Sequence, residues 1–97
     1  MFQIKWTRKA LLSFADILRY WNVHNSSETY SRKLISEVEK KEKLISQNPY
    51  IGSPSEIKGV KYVLIDKNFS LYYRIHEEVV EVLAFWDNRR NPENIRL

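Results

Sequence analysis

Basic, aromatic and imidazole side chains in the last third of the chain are the residues best suited to chemistry or to binding. Arg89 and Arg90 are adjacent and closely follow Trp86. Two guanidinium groups beside an indole ring suit the recognition of phosphate or carboxylate groups, and a solvated tail is the alternative interpretation. His76 carries an imidazole, which can exchange protons near neutral pH, so it is a candidate acid or base; an ordinary exposed turn histidine fits the same position.

Side chains on one strand should divide between two faces of a sheet. Tyr72 and Tyr73 are neighbours, so they must point in opposite directions, and we predict that Tyr73 is in the core while Tyr72 can stack or donate outward. Arg74 shares the outward face, where it can contact a partner's phosphate or acidic groups or pair with Glu81 across the sheet. Both interpretations of Arg74 stay open.

Metal and cofactor chemistry finds no support in the sequence. The two histidines, His24 and His76, are isolated from each other, and the chain contains no cysteine. Two separate histidines without cysteine or a carboxylate motif do not make a ligand set, so we predict neither a metal site nor a cofactor. The lack of cysteine also fits a reducing compartment.

Length and composition point to a single folded domain over residues 1–97. Apolar residues make up 43% of the chain and aromatic residues 13%, which is too much apolar surface for a disordered polymer. The formal charge of +4 fits either a polyanionic partner or a solubilising surface. No apolar run reaches the roughly 18 residues of a membrane span, so we predict a cytoplasmic protein without a membrane partner.

Hydrophobic periodicity predicts a strand followed by a helical hairpin. Phe2, Ile4 and Trp6 alternate with polar residues, as in a half-buried strand. Thr7 can cap a first helix from about residue 8 to about 21, and Ser26 or Ser27 can cap a second. We expect the following residues to form the buried stripes of the two helices: Ala10, Leu11, Phe14, Ile17, Leu18 and Trp21, then Tyr30, Leu34, Val38, Leu44 and Ile45.

The second half of the chain changes to a strand pattern. Asn48 and Pro49 should stop the second helix, because proline cannot donate into it. Three β-branched and aromatic runs follow at residues 62–65, 69–75 and 79–86, and their short connectors predict antiparallel neighbours. We therefore predict an α+β fold in the order β-α-α-β-β-β: an N-terminal strand, a two-helix hairpin and an antiparallel three-stranded meander. A polar, basic tail should follow from about residue 88. The face of the meander carrying Ser70, Tyr72, Arg74 and His76 should be open, with Arg89 and Arg90 beside it.

Several short motifs occur in a characteristic order along the chain. They are Asn48-Pro49-x-x-Gly52, Lys58-Gly59-x-Lys61, Leu71-Tyr72-Tyr73-Arg74-Ile75, and the ending Val82-Leu83-Ala84-Phe85-Trp86-Asp87-Asn88-Arg89-Arg90-Asn91-Pro92. With the strand and helical hairpin before them, they resemble the RelE/ParE toxin family over essentially the whole chain. The resemblance implies the toxin of a type II toxin–antitoxin system, which a small antitoxin neutralises by wrapping its C-terminal segment around it, possibly as a hetero-oligomer.

The family divides by mechanism into two branches. RelE-like members cleave messenger RNA in the ribosome, which needs a base for the ribose 2′-hydroxyl, cations for the developing charge and an acid for the leaving oxygen. Lys61 and Arg89 or Arg90 match basic positions of that branch. Val63 and Ser70 stand where further cations are expected, and no Tyr or His follows Trp86. The chain therefore favours the ParE-like branch, whose members inhibit DNA gyrase and have no established catalytic centre.

Three functional hypotheses follow from the resemblance. The first is a ParE-like toxin that binds a large target such as DNA gyrase, and we assign no catalytic residue to it. The second is a ribosome-dependent messenger RNA endoribonuclease, and the third is an inactive member that binds only its antitoxin. The candidate residues are Lys61, Tyr72, Arg74, Arg89 and Arg90 for the target, Trp21, Tyr72 and Trp86 for the antitoxin, and Lys61, Arg74, His76 and Arg89 for the ribonuclease.

Overall fold

A computed structural model describes residues 1–91, 94, 95 and 97 of the chain. Strand β1 (Gln3–Trp6) leads into helices α1 (Arg8–Asn25) and α2 (Thr29–Gln47). A short 3₁₀ turn (Pro49–Ile51) and a two-residue strand β2 (Ser53–Pro54) follow, and then β3 (Lys61–Asp66), β4 (Phe69–His76) and β5 (Val79–Asp87). The α+β prediction and its order of elements are confirmed. Pro92, Glu93 and Arg96 of the predicted polar tail lie outside the described residues.

The strands form one five-stranded sheet in the order β1-β5-β4-β3-β2. The meander of β3, β4 and β5 is antiparallel, as predicted, but β1 joins the sheet parallel to β5. The sheet is therefore mixed. Strand β1 pairs only with residues 79–82 of β5, so the second half of β5 has no strand neighbour on that side among the described residues. Such unpaired edges leave main-chain donors and acceptors available.

Both helices pack on one face of the sheet, α1 against β5 and α2 against β3. Apolar burial between these two layers is the main stabilising contribution to a domain of this size. The core consists of Ala10, Leu34, Val38, Ile45, Ile65, Phe69, Leu71, Tyr73, Val80, Val82 and Phe85. Among the described residues, no helix is both long and apolar enough to cross a membrane.

The boundaries of α1 follow local capping chemistry. Thr7 caps α1 as predicted, because its hydroxyl accepts the N–H of Ala10 at 3.1 Å. The helix continues to Asn25 instead of ending near residue 21, and Ser26 stops it with a left-handed φ of 50°.

The prediction that Ser26 or Ser27 caps α2 was wrong, because its N-cap residue is Glu28, which makes no side-chain cap hydrogen bond. Two stripe predictions were wrong, since Leu11 and Leu44 are 55% and 43% exposed. Leu11 lies on α1 and Leu44 on α2, each at the margin of its helix's apolar stripe, which is wider than the part of the helix that contacts the sheet.

The Asn-Pro-x-x-Gly motif forms a compact turn beneath the sheet. Asn48 accepts the N–H of Tyr50 through its side chain, and Pro49 opens the 3₁₀ turn. The buried carbonyl of Pro49 accepts a 2.7 Å hydrogen bond from the hydroxyl of Tyr73. A Cβ atom on Gly52 would lie 2.2 Å from that same hydroxyl oxygen. Glycine is therefore required here for space, and the motif fixes the end of α2 to the middle of β4.

A β-bulge in β5 determines which of its side chains reach the core. Tyr73 pairs with Val82 and Tyr72 with Ala84, so Leu83 is the extra residue. This shift allows Val82 and Phe85, three positions apart, both to face the helices and to be buried. Ala84 and Trp86 consequently turn to the opposite face of the sheet.

Candidate partner-binding surface

The face of the sheet opposite the helices carries an aromatic cavity. It has a volume of about 380 Å³, and Tyr62, Leu64 and Tyr72 form its floor, with the loop at residues 54–57 as one wall. The rings of Tyr62 and Tyr72 lie 5.6 Å apart. Burial raises the pKa of Tyr72, and the nearby Tyr62 and Glu56 add to the effect. At neutral pH the Tyr72 hydroxyl is therefore a hydrogen-bond donor on an apolar surface and not a base.

Ser70 was predicted to be exposed on this face, and that prediction was wrong. Its side chain is only 2% exposed. The hydroxyl donates to the side-chain oxygen of Asn88 at 2.8 Å, and the main-chain N–H of Asn88 donates to the carbonyl of Asn68. Ser70 therefore anchors the segment after β5, and its hydroxyl is already engaged by Asn88.

Arg74 forms the cross-strand ion pair that was one of its two interpretations. Its Nε lies 2.7 Å from Oε1 of Glu81, the residue directly opposite on β5. The Arg74 side chain is 57% exposed, and an exposed pair of this kind contributes about 0.2–1 kcal/mol to stability. The guanidinium keeps solvent-facing donors, but much of its charge is compensated by Glu81.

Lys61 and His76 lie apart from the aromatic cavity. Lys61 is directly opposite Tyr73, and paired residues share a face, so Lys61 lies on the helix side of the sheet. His76 ends β4 and is 79% exposed beside Glu77, at 3.7 Å. Neither residue shares a pocket with Tyr72.

The two adjacent arginines contact different tryptophans. Arg89 binds the carboxylate of Asp87 through Nε and Nη2, at 2.9 and 2.6 Å, and lies 5.6 Å from the ring centroid of Trp21. The hydrogen bond from Arg89 is the main cause that lowers the pKa of Asp87. Arg90 instead lies 4.7 Å from the ring centroid of Trp86. Cation–π contact of this kind stabilises both positions.

Trp21 belongs to an aromatic cluster at the end of α1. The rings of Tyr20 and Tyr30 lie 5.1 and 5.0 Å from it. The hydroxyl of Tyr30 donates to Asp66 at 3.2 Å, and burial raises its pKa. Tyr20 is 50% exposed and Val23 76% exposed, so the cluster continues into an apolar surface patch.

The residues predicted to bind the antitoxin are only partly brought together. Tyr72 and Trp86 lie on the same face of the sheet. Tyr72 pairs with Ala84, which is two positions before Trp86 on β5, and residues two apart on a strand share a face. Trp21 lies on the helix side beside Arg89. The sequence reasoning missed Tyr20 and Leu64, which are among the most exposed large apolar side chains. The proximity of Tyr20, Trp21 and His24 near the helix end was the available signal for the first.

No group of three or more histidine, aspartate or glutamate side chains suited to a metal ion occurs within the described part of the chain. The arrangement offers instead an aromatic sheet face, two arginines on indole rings and exposed apolar side chains. These groups suit contacts with a macromolecule.

The layered helix-hairpin and sheet architecture is shared with known toxins. The chromosomal ParDE toxin–antitoxin system of P. aeruginosa superposes with a TM-score of 0.75 at 24% identity, over 90% of this chain and 96% of that chain. The YoeB dimer of Staphylococcus aureus gives a TM-score of 0.61 at 13% identity, over 86% and 92%. The YoeB–YefM heterotetramer of the same organism gives 0.58 at 16%, over 87% and 93%. These similarities define the RelE/ParE toxin fold.

A comparison of the sequence with protein-family models identifies the family more specifically. Residues 4–92 match the model of the ParE toxin of the type II toxin–antitoxin system parDE. No curated protein sequence matches the chain significantly. Because the family model spans nearly the whole chain, the chain belongs to the ParE toxin family.

Proposed function

We propose that this ParE-family toxin arrests growth by binding a large target such as DNA gyrase, and that a cognate antitoxin neutralises it. The observation that carries the proposal is the separation of the residues that a ribonuclease site would need. His76 pairs with Val79 at one end of the β4–β5 hairpin, and Asp87 pairs with Phe69 at the other. The seven residue steps from Phe69 to His76 span about 23 Å, at roughly 3.3 Å per residue.

The other two candidates for a ribonuclease site, Lys61 and Arg74, lie on opposite faces of the sheet. Lys61 shares the helix-side face with Tyr73, whereas Arg74 shares the opposite face with Glu81. General acid–base catalysis requires donor and acceptor within hydrogen-bond reach of one substrate atom. A binding role makes no such demand, since dispersed arginine and aromatic anchors are usual in protein interfaces.

The antitoxin is proposed from exposed apolar surface and from structural relatives. On the open face of the sheet Leu64 is half exposed, and on α1 Leu12, Tyr20 and Val23 are each at least half exposed. Exposed apolar surface on a small domain is typical of an interaction site. Several structural relatives are complexes, such as YoeB–YefM. We propose that the antitoxin covers this surface and that Trp21, Tyr72 and Trp86 contribute to the contact.

Tightly controlled expression with two separate biochemical assays tests the target. We expect the purified toxin to inhibit DNA supercoiling by gyrase, and Arg90→Gln to weaken that inhibition by about tenfold, as loss of one interface anchor does. Arg32→Gln is the matched control, because Arg32 is an exposed arginine paired with Glu28 on α2. Site-specific messenger cleavage on translating ribosomes that Arg89→Ala abolishes would overturn the proposal. Absence of any growth effect would favour the inactive, antitoxin-binding alternative.

The antitoxin pairing has its own test. The protein encoded by the neighbouring small open reading frame should co-purify with the toxin and restore growth. We expect the complex to be more soluble than the toxin alone, since binding covers apolar side chains. A well-behaved toxin that forms no complex with that protein contradicts the pairing.

A further inference from the structure

The outward face of α1 carries an exposed stripe of four side chains. They are Leu12, Asp16, Arg19 and Val23, which follow one another at intervals of four, three and four residues. Residues at these intervals lie on one face of a helix. Each of the four is more than half exposed. The stripe is therefore a solvent-facing surface with an apolar side chain at each end and one charge of each sign in the middle.

The order of the stripe is the same from either end, apart from the sign of the charge. A point midway between residues 17 and 18 is equally far from Asp16 and Arg19, and equally far from Leu12 and Val23. In a symmetric pair of proteins, a two-fold axis makes residue i of one copy contact residue j of the other, and j contact i. An axis through that point, with the two helices antiparallel, sets Asp16 against Arg19 twice and Leu12 against Val23 twice. The stripe is therefore complementary to itself.

The side chains beside the stripe fit the same arrangement. Tyr20 lines an open cavity of about 470 Å³ on this face. Its counterpart across the axis is Ala15, whose small side chain leaves room for the tyrosine ring. Arg8, the next cation along the stripe, has Ser27 as its counterpart. The axis therefore places no two like charges of the stripe opposite each other, which would oppose association.

The Asp16–Arg19 ion pair has atoms left for a second contact. Within one chain, Nη1 of Arg19 donates to Oδ1 of Asp16 at 3.1 Å. Oδ2 of the carboxylate and Nη2 of the guanidinium make no hydrogen bond within the described residues. A carboxylate can accept from more than one guanidinium group, and each guanidinium has several donors. Contacts between Asp16 and Arg19 of two copies can therefore form while the pair inside each chain is kept.

We propose that the free toxin forms a weak homodimer in which α1 of a second copy lies antiparallel across this stripe. Because the two charges cancel, the stripe favours neither an acidic nor a basic segment, whereas its symmetric order favours a copy of itself. The eleven residue steps from Leu12 to Val23 span about 16 Å, at roughly 1.5 Å per residue. Such a short contact is small for a protein interface, so we expect a dissociation constant on the order of 100 µM.

The inference goes beyond the proposed function, because it concerns the toxin alone. It has one consequence for the proposed antitoxin contact, which includes Leu12 and Val23. The antitoxin and the second copy compete for these side chains, so antitoxin binding should convert the dimer into the toxin–antitoxin complex.

Charge reversal on either side of the axis tests the arrangement. Sedimentation velocity of the purified toxin from about 10 µM to about 500 µM covers the expected dissociation constant. Asp16→Arg and Arg19→Asp each turn both contacts across the axis into like-charge contacts, so each variant alone should dimerise at least about tenfold more weakly. An equimolar mixture of the two variants restores opposite charges at both contacts, and it should dimerise within about threefold of wild type. Mixing cannot repair an ion pair inside one chain, so the recovery is specific to the two-fold pairing.

Glu37 and Lys40 provide the matched control, since they form an ion pair with the same three-residue spacing on α2. Glu37→Arg and Lys40→Asp should leave dimerisation unchanged, both alone and mixed, and circular dichroism checks that every variant is folded. A wild-type toxin that stays monomeric over the whole range overturns the inference, and so does a mixture that dimerises no better than its single variants. Either result leaves growth arrest and antitoxin binding untouched, because separate assays measure those.

Discussion

The hydroxyl of Tyr73, in the middle of β4, donates a 2.7 Å hydrogen bond to the main-chain carbonyl of Pro49, 24 residues earlier in the chain. Tyr73 and Pro49 are both fully buried. The contact joins the turn after α2 to the central strand of the sheet. It therefore connects the helical layer, which supports the exposed apolar surface, to the strand that carries Tyr72.

Tyr73→Phe should destabilise the protein by about 1–3 kcal/mol, because the variant leaves a buried carbonyl without its donor. Urea unfolding followed by circular dichroism measures the change. Tyr50→Phe is the matched control, since Tyr50 lies in the same turn but is 65% exposed, and it should change stability by less than about 0.5 kcal/mol. Equal effects of the two substitutions would contradict the role given to the Tyr73 hydroxyl.

Gly52→Ala should destabilise by about 1–3 kcal/mol through overpacking, because its Cβ would lie 2.2 Å from the Tyr73 hydroxyl oxygen. The cost should fall when Tyr73→Phe is also present, so a double-mutant cycle by urea unfolding should give clear coupling. Gly59→Ala is the control, since no atom lies within 4 Å and its cost comes from a φ of +81°. Additive effects of Gly52→Ala and Tyr73→Phe would count against the steric explanation.

Asp87 should make stability depend on pH in the acid range. Its pKa is lowered in the folded protein, mainly by the hydrogen bond from Arg89. A lowered folded pKa means that the stabilisation is complete above the unfolded value of about 3.9 and is lost as the pH falls through the folded value. The stability difference between wild type and Asp87→Asn, measured by urea unfolding, should therefore be constant from about pH 7 down to about pH 5 and shrink as the pH falls below about 4.

Asp16→Asn is the comparison for that experiment, because the ion pair of Asp16 with Arg19 is exposed on both sides. Its contribution should be small at every pH. A difference for Asp87→Asn that stays constant over the whole range would show that the Arg89 contact does not control this carboxylate.

His76→Ala should leave growth arrest unchanged, within about twofold in the toxin level required. The side chain is 79% exposed at the β4–β5 turn, and it lies about 23 Å from the level of Asp87 along the strands. Titrated expression with plating efficiency provides the measurement. Glu77→Ala, at the same turn, is the matched control. Loss of arrest in His76→Ala alone would restore the ribonuclease hypothesis.

Much of the local structure was predictable because it depends on neighbours in sequence. Thr7 caps α1 with its own hydroxyl, and Pro49 stops α2 because proline lacks the N–H that a helix needs. The meander strands followed from β-branched and aromatic runs with short connectors, to within about one residue at each end. The Arg74–Glu81 pair was one of two open interpretations, and strand register selected it.

The site was less predictable, since each residue's neighbours come from distant parts of the chain. Ser70 was expected on an open face, but Asn88 folds back over it. Lys61 falls on the helix side because register pairs it with Tyr73. Arg89 and Arg90 are adjacent in sequence, and yet they contact indoles contributed by α1 and β5.

Sequence alone determined the element order, the N-cap of α1 and the core face of β4, because these depend on periodicity and on residue type. The ordered short motifs carried the resemblance to a toxin family. Only the tertiary structure decided that β1 lies parallel to β5 and covers just residues 79–82. Only the bulge at Leu83 decided that Trp86 turns away from the helices. Both outcomes depend on pairing between strands far apart in the chain, where a shift of one residue moves a side chain to the other face.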